Sequence, residues 1–316
     1  MYRDKIIGVV IPALNEQRLI ERVITTIPDY VDRIIVIDDG SQDETVSIVE
    51  SHQRNAPERI VLLCHEENQG VGGAIATGYE WCRDHEIDVA VVMAGDAQMD
   101  PDDLEKLLDP VVADEVDYAK GNRLFTGLAW QRIPKWRYLG NSSLSMLTKI
   151  ASGYWHVADS QCGYTAVNAD TLHLIDWSAM YKRYGQPNDL LVRLNVSNRR
   201  VRDVPVLPIY NIGETSGIRP FRMIPKLSFL LLRLFVWRML HKYVIRDFHP
   251  LVLFYGMGFF LQTCSALMFM RMVYAWANAG IMPPLNSLMF VFTSVTGVQL
   301  MLFAMWFDME HNRHLR

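Results

Sequence analysis

The sequence predicts an α/β domain built on a parallel sheet, followed by a two-helix transmembrane hairpin. Four short, continuous apolar runs alternate with helix-period segments over residues 5–110, which is the pattern of strands covered on both faces and joined by crossover helices. Each run empties into a polar or glycine-rich loop. Near the C-terminus, Leu251 to Met270 and Ile281 to Phe307 contain no charged residue, and each is long enough to cross a bilayer core.

The four predicted strands are Lys5-Ile-Ile-Gly-Val-Val-Ile11, Arg33-Ile-Ile-Val-Ile37, Arg59-Ile-Val-Leu-Leu63 and Asp88-Val-Ala-Val-Val-Met93. Between the first two, Leu19, Ile20, Val23, Ile24 and Ile27 recur at helical spacing and stop before Pro28; Ala74, Gly78, Tyr79 and Cys82 do the same in the third connection. From Val116 to Tyr210 short apolar runs alternate with polar loops. The clearest strand there, Arg202-Asp-Val-Pro-Val-Leu-Pro-Ile-Tyr210, carries two prolines and is expected at a sheet edge.

Composition narrows the function classes. Half of the 316 residues are apolar, above the usual soluble share, and the excess sits in the two C-terminal stretches. The formal charge of −4 hides an acidic front and a basic segment. Thr215 to Pro250 holds seven Lys or Arg against one acid, and that positive charge adjoins an apolar span, so nucleic acid is a poor partner. Met1-Tyr-Arg-Asp-Lys5 runs directly into a strand without a signal-peptide pattern. Arg233, Arg238, Lys242 and Arg246 precede the first span, only Arg271 lies between the spans, and Arg313 and Arg316 follow; the N-terminal domain and both termini are expected in the cytoplasm. Cys64, Cys82, Cys162 and Cys264 show no metal-ligand spacing and read as small apolar residues.

Open parallel sheets bind ligands beyond the carboxyl ends of their strands. The tips here are Pro12-Ala-Leu-Asn-Glu16, Asp38-Asp-Gly-Ser41, Asn68-Gln-Gly-Val-Gly-Gly73 and Ala94-Gly-Asp96-Ala-Gln98. In an extended backbone Asp96 and Gln98 point the same way, as partial oxygen ligands for a hard cation that also holds a diphosphate. The same stretch also reads as a polar turn into a helix with Pro101 at its first position. The first turn lacks the glycine fingerprint of a dinucleotide oxidoreductase, and the third lacks the Gly-Lys-Ser/Thr ending of a P-loop.

Taken together, Ile11-Pro-Ala-Leu-Asn-Glu16, Ile37-Asp-Asp-Gly-Ser-Gln-Asp-Glu-Thr45, Asn68-Gln-Gly-Val-Gly-Gly-Ala74, Asp96-Ala-Gln98, Lys120-Gly-Asn-Arg123 and Asp159-Ser-Gln-Cys-Gly-Tyr164 resemble the family 2 glycosyltransferases of GT-A fold, and among them the polyprenyl-phosphate sugar transferases of the dolichol-phosphate mannose synthase type. The resemblance covers residues 5–240 and implies a GT-A, Rossmann-like catalytic domain over 1–215, an amphipathic interfacial segment over 216–246 and a transmembrane hairpin over 247–316 with spans at about 250–271 and 283–307. It also implies a membrane-anchored, inverting hexosyltransferase moving a sugar from a UDP- or GDP-linked donor to polyprenyl phosphate.

Residue by residue, the resemblance assigns Pro12, Leu14 and Glu16 to a base pocket, Asp38 and Asp39 to the nucleoside, Gly95 to the donor, and Asp96 with Gln98 to Mg²⁺ or Mn²⁺. Asn68 and Gly70 shape their loop. Arg123, Arg137 and Asn141 are assigned to the acceptor phosphate, because guanidinium groups stay charged and bind phosphate bidentately. Asp159 and Asp189 read either as positioning groups or as solvated loop acids. The chain departs from the family at Val71, where a lysine is usual, at Ala94, where the first acid of Asp-x-Asp is missing, and at Ser216-Gly-Ile218, where a lysine is absent and Arg219 or Arg222 is the replacement at the donor diphosphate. Two alternatives stay open: a transferase elongating a lipid-linked saccharide or polymer, and a non-catalytic membrane scaffold with a degenerate metal site. The sequence is compatible with a homo-oligomer and does not specify one.

From Pro225 onward, Lys226 and Arg233 fall on the same side of a helical wheel as Arg222, whereas Phe229, Leu230, Leu231, Leu234 and Trp237 supply apolar surface. An interfacial helix is expected, its basic side meeting lipid phosphates.

Overall fold

The computed structural model describes residues 1–125, 135–207, 209, 220–280 and 282–316, with the side chains of 135–141, 220–223 and 279 outside that description. Two compact units divide the chain: Met1–Phe235 with Leu315–Arg316, and Val236–His314.

In the first unit the strands are β1 (Ile7–Ala13), β2 (Arg33–Asp38), β3 (Ile60–Cys64), β4 (Val89–Val92), β5 (Tyr118–Asn122), β6 (Thr165–Asn168) and β7 (Val201–Pro205). They form one sheet in the order β3-β2-β1-β4-β6-β5-β7. β1 to β4 are mutually parallel, as their apolar runs predict, and β6 then enters antiparallel to both β4 and β5. The sheet is therefore mixed. β7 pairs only with β5 and forms the far edge, where Pro205 removes no ladder bond that a neighbour needs.

Helices cover both faces, which explains why the central strands read as unbroken apolar runs. Ile7, Val9 and Ile11 point to one side, where they meet α1 (Ile20–Thr26), α2 (Thr45–Asn55) and α4 (Leu104–Val112) through Val23, Val49, Leu104 and Leu108. Val10 points to the other, against α3 (Val71–Asp84), α6 (Ala169–Leu174) and α7 (Gln186–Val196) through Ala74, Tyr79, Leu172 and Leu190. α5 (Lys135–Ser152) precedes β6. α3 lies directly on the sheet at Gly78, where an added Cβ would sit 2.2 Å from Val10 Cγ1 and 3.0 Å from Ile37 Cδ1.

α8 (Pro220–Leu240) runs from the first unit into the second. Leu230, Leu231, Leu234 and Phe235 are buried, whereas Phe229 and Leu232 are exposed on the same side as Lys226 and Arg233. The outer side is thus not purely basic: at seven-residue spacing Lys226 and Arg233 flank an apolar stripe instead of forming a separate charged face.

The second unit contains α9 (Leu251–Ala279) and α10 (Pro284–His311), both long and apolar enough to cross a membrane, with mean hydropathy of 1.6 and 1.9 over an 18-residue window in each. The helices approach closely at small residues: a Cβ on Gly258 would lie 2.6 Å from Met301 Cγ, and Gln262 Nε2 donates to Ser294 O at 2.8 Å beside Gly297. A buried polar network closes one end. Arg238 meets Asp308 in a two-pronged pair at 2.8 and 2.9 Å, Tyr243 Oη donates to Asp308 Oδ1 at 2.6 Å, and Lys242 Nζ donates to Asn312 Oδ1 at 2.7 Å. Two of the basic residues preceding the spans are therefore committed to internal contacts.

Gly78→Ala is expected to destabilise the first unit by about 3 kcal/mol, because α3 must lift off β1 to admit the methyl group. Urea denaturation followed by tryptophan fluorescence checks this; an unchanged midpoint contradicts the close packing.

Candidate active site

Parallel register aligns the strand ends. Ala13 pairs with Asp38, Asp38 with Cys64, and Val10 with Val92, so the loops leaving β1, β2, β3 and β4 emerge side by side. They are then tied to one another. Asn15 N donates to Ser41 Oγ at 2.8 Å, Gln42 N to Asn15 Oδ1 at 2.8 Å, and Glu16 N to Thr45 Oγ1 at 2.9 Å. Asn15 adopts φ +57°, a left-handed conformation that asparagine tolerates better than most residues. Pro12 is partly buried and Leu14 is 41% exposed, which leaves apolar surface at the lip of the tips.

Asp38 and Asp39 are both buried and do different things. Asp38 Oδ2 accepts from Gly40 N at 3.2 Å and Ser41 N at 3.0 Å, folding its own turn, while Oδ1 is buried with no hydrogen-bond partner among the described residues. Asp39 Oδ1 accepts from Gln69 N at 2.8 Å and lies 2.8 Å from His65 Nδ1; Oδ2 accepts from Gly70 N at 2.7 Å. Asn68 Nδ2 donates to Asp39 O at 3.2 Å. Neither acid caps α2, whose first turn is organised by Asp43 Oδ1 accepting from Thr45 N at 3.0 Å. Asn68 and Gly70 shape the loop as expected. Gly70 has φ +90°, and a Cβ there would lie 2.5 Å from Lys182 O. Val71, the first residue of α3, is 37% exposed.

At the β4 tip the expected extended alternation does not occur. Ala97 adopts φ +55°, and Asp96 Oδ1 accepts from Gln98 N at 3.1 Å, so carboxylate and amide belong to one tight turn. The physical reason is that a short acidic side chain offers the backbone a hydrogen bond that competes with the strand. Gln98 O accepts from Ile209 N at 3.0 Å, which fixes the exit of the turn. The helix-entry reading also holds, one step later: Asp100 Oδ1 accepts from Asp102 N at 3.1 Å, with Pro101 opening a 3₁₀ turn into α4. Gly95 N donates to Pro12 O at 3.3 Å, and a Cβ on Gly95 would lie 3.4 Å from Glu16 Cγ. Glu16 thus packs against the backbone that carries Asp96.

Arg123, just past β5, is partly buried against Asp159, with Nε to Oδ2 at 2.8 Å and Nη2 to Oδ1 at 3.1 Å. Its backbone N donates to the same carboxylate at 3.2 Å. Burial pushes the Asp159 carboxyl up, but the Arg123 charge and hydrogen bonds, with Lys120 behind them, outweigh it and hold the group below its ordinary range. Lys120 is fully buried and donates to Cys162 O, with burial lowering its pKa. Neither Asp159 nor Asp189 is a solvated loop acid. Asp189, in the first turn of α7, accepts from Tyr181 N at 2.7 Å and from Arg193 Nε at 3.0 Å. Next to it, Asn188 Oδ1 accepts from Thr148 Oγ1 at 2.9 Å and Gln161 Nε2 at 2.8 Å.

Arg137 and Asn141 lie on α5, with their side chains outside the described residues, and Arg219 lies outside them altogether. The structure therefore brings Pro12, Leu14, Glu16, Asp38, Asp39, Gly95, Asp96 and Gln98 to one edge of the sheet. Sequence reasoning missed Asn15 and His65. Asn15 sits in a loop motif and its φ is invisible in one dimension; His65, directly after a strand that precedes a glycine loop, was the available signal.

The tips are rich in acid. Burial, then Asp96, then Asp43 raise Glu16 to about 7. Asp96, Gln98 and Glu16 supply hard oxygen donors, a set that suits Mg²⁺ or Mn²⁺. Among the described residues no group of three His, Cys, Asp or Glu could hold a metal alone, so phosphate oxygens and water would have to complete the shell of a cation bound here. Because the folded pKa of Glu16 lies above its unfolded value, its contribution to stability is complete below about pH 4.5 and is lost as pH rises through about 7. Glu16→Gln is expected to stabilise the protein by about 1 kcal/mol at pH 8, after allowance for solvent screening, and to change little at pH 4. Denaturation midpoints at the two pH values check this; a stabilisation that is equal at both contradicts it.

Residues 8–174 match the family model described as Glycosyl transferase family 2. A UDP-N-acetylglucosamine–dolichyl-phosphate N-acetylglucosaminyltransferase of Methanococcus voltae is 31% identical over 219 residues, covering 66% of this chain and 87% of that protein. An undecaprenyl-phosphate mannosyltransferase of Micrococcus luteus is 29% identical over 211 residues, covering 66% and 85%. Among solved structures, glucosyl-3-phosphoglycerate synthase from Mycobacterium tuberculosis, in complex with Mn²⁺, UDP and glucosyl-3-phosphoglycerate, superposes with a TM-score of 0.53 at 22% identity, covering 74% of this chain and 80% of that one. At that identity the likeness concerns the fold alone. The sequence match runs from β1 to the end of α6, through all four aligned strand tips and more than half of the chain, and on that basis the chain belongs to glycosyl transferase family 2.

Proposed function

We propose that this glycosyltransferase moves a sugar from a nucleotide sugar to the phosphate of a polyprenyl phosphate at the membrane surface. The observation that carries the reading is the presence, in one chain, of an acidic, oxygen-rich strand-tip site and two helices of membrane-spanning length and composition. A polyprenyl tail stays in the bilayer, so an enzyme using it gains from being anchored there. The names of the Methanococcus voltae and Micrococcus luteus relatives support the same acceptor class.

In this reading Pro12 and Leu14 face the base, Asp39 and Asp38 hold the nucleoside edge of the site, and Gly95 lets the diphosphate approach the backbone. Glu16, Asp43 and Asp96 make the tips electronegative, and a diphosphate entering such a field needs positive charge beside it. Asp96 and Gln98, with Glu16 adjacent, would hold Mg²⁺ or Mn²⁺ there, and a bound cation neutralises the charge that builds on the leaving diphosphate. Arg219 is assigned to the same diphosphate on sequence alone.

The reaction is a displacement at the anomeric carbon. An acceptor phosphate oxygen forms the new carbon–oxygen bond, the bond to the diphosphate breaks, and the nucleoside diphosphate leaves with the electron pair. A phosphate monoester has a second pKa of about 6, so the acceptor needs positioning and charge compensation more than a general base. Arg123 suits that role because Asp159 fixes the plane of its guanidinium from behind. Arg137 and Asn141 on α5 are assigned alongside it from the sequence.

The hairpin of α9 and α10 is the proposed anchor, with the outer side of α8, where Lys226 and Arg233 border Phe229 and Leu232, lying along the headgroups. Both termini and the catalytic domain are placed on the cytoplasmic side. The basic residues before the first span and Arg313 and Arg316 after the second carry that argument, with Arg238 and Lys242 drawn into the network at Asp308 and Asn312.

Purified protein incubated with a panel of labelled UDP- and GDP-sugars and bare polyprenyl phosphate is expected to yield chloroform-extractable label. Chelation should abolish it, Mn²⁺ or Mg²⁺ should restore it, and Asp96→Asn should lower it by roughly 100-fold or more. Full turnover after exhaustive chelation, or in Asp96→Asn, contradicts the assignment.

A further inference from the structure

His65 stands immediately after β3, and its imidazole is almost wholly buried between two partners. Nδ1 lies 2.8 Å from Asp39 Oδ1, and Nε2 lies 2.9 Å from Thr77 Oγ1 on α3. The carboxylate can only accept, so Nδ1–H donates to it, and Nε2 is anchored by the threonine hydroxyl. Oδ1 of Asp39 then receives both the ring N–H and the Gln69 backbone N–H, which fills its two lone-pair directions. Oδ2 receives the Gly70 N–H and, of its two directions, retains one for a further donor.

We propose that His65 is a positioning residue for the donor nucleoside, holding Asp39 so that Oδ2 is the oxygen presented to a nucleoside N–H or O–H. Without the ring, only the Gln69 and Gly70 N–H groups hold the carboxylate, and its plane is fixed less firmly against an incoming nucleoside donor. The inference rests on the reading that Asp39 contacts the nucleoside. It goes further by assigning a residue on the neighbouring strand tip and a threonine on α3 to the same contact. Second-tier bonds of this kind fix ligand-facing groups in binding sites generally.

Two substitutions separate positioning from bulk. In His65→Asn the amide nitrogen takes the place of Nδ1 and still reaches Asp39; in His65→Gln it takes the place of Nε2, reaching Thr77 and not Asp39. Dissociation constants for UDP and GDP with Mn²⁺ by calorimetry, together with donor KM and kcat, are measured for both. His65→Gln is expected to raise the nucleotide Kd and donor KM about 10-fold with kcat little changed, as for loss of a hydrogen bond to a charged group; His65→Asn should stay within about 3-fold of the parent. Thr77→Val, which removes the anchor and leaves the ring, should shift Kd in the same direction by less. Equal losses in His65→Asn and His65→Gln, tracking the fall in thermal midpoint, overturn the proposal, as does an unchanged Kd in His65→Gln. Asp39→Asn distinguishes the two levels: an unchanged nucleotide Kd there removes the underlying reading, whereas a weakened Kd with an unaffected His65→Gln removes only the role of His65.

Discussion

The parallel ladder through β1 is the constraint from which the site follows. β1 is hydrogen-bonded to β2 on one side and β4 on the other, and both neighbours run in the same direction, so the chain must leave all three strands at the same edge of the sheet. The register sets the level at which it leaves, placing Ala13, Asp38 and the residues after Val92 in reach of one another. Side chains of β1 are buried on both faces, so a slip by one residue would exchange Val9 and Val10 between two different cores. Core packing therefore sets the geometry of the loops as much as the loops' own hydrogen bonds do.

What those loops add is a set of carboxylates held by backbone N–H groups. Asp38, Asp39 and Asp96 each accept at least one N–H from the turn they begin or face. Glu16 is the exception, half-buried beside Asp96 and raised to about 7. Cationic groups stand at Lys182, which donates to Gln69 Oε1 beside the tips, in Arg123 backed by Asp159, and in the basic segment before the spans.

Much of this architecture was legible in the residues. Ile7 to Ile11, Ile34 to Ile37 and Val89 to Val92 announce parallel strands because burial on both faces leaves them no polar position, and the loops after them announce the binding edge. β5 and β6 were not legible. Tyr118-Ala-Lys-Gly-Asn122 has a lysine at its centre, and the carbonyl of Cys162, with the Asp159 and Asp203 carboxyls nearby, makes that lysine tolerable in the core. At Asp96 the polar turn prevails over the extended reading, and the sequence left both open because a positive φ at Ala97 leaves no trace in it. The pairing of Arg123 with Asp159 joins residues on separate loops, so the arginine was assigned to the acceptor phosphate without the carboxylate that orients it. Likewise, Asp308 directly follows the apolar stretch that ends at Phe307, and its partner Arg238 had been counted with the basic residues before the spans.

The central claim is that the four strand tips form one donor site. Hydrogen–deuterium exchange of the full chain, with and without Mn²⁺ plus UDP or GDP, tests it directly. The account predicts slower exchange on nucleotide binding in the segments around Pro12–Glu16, Asp38–Ser41, His65–Gly70 and Ala94–Gln98 together. Protection confined to a single tip, or appearing away from this edge of the sheet, contradicts it.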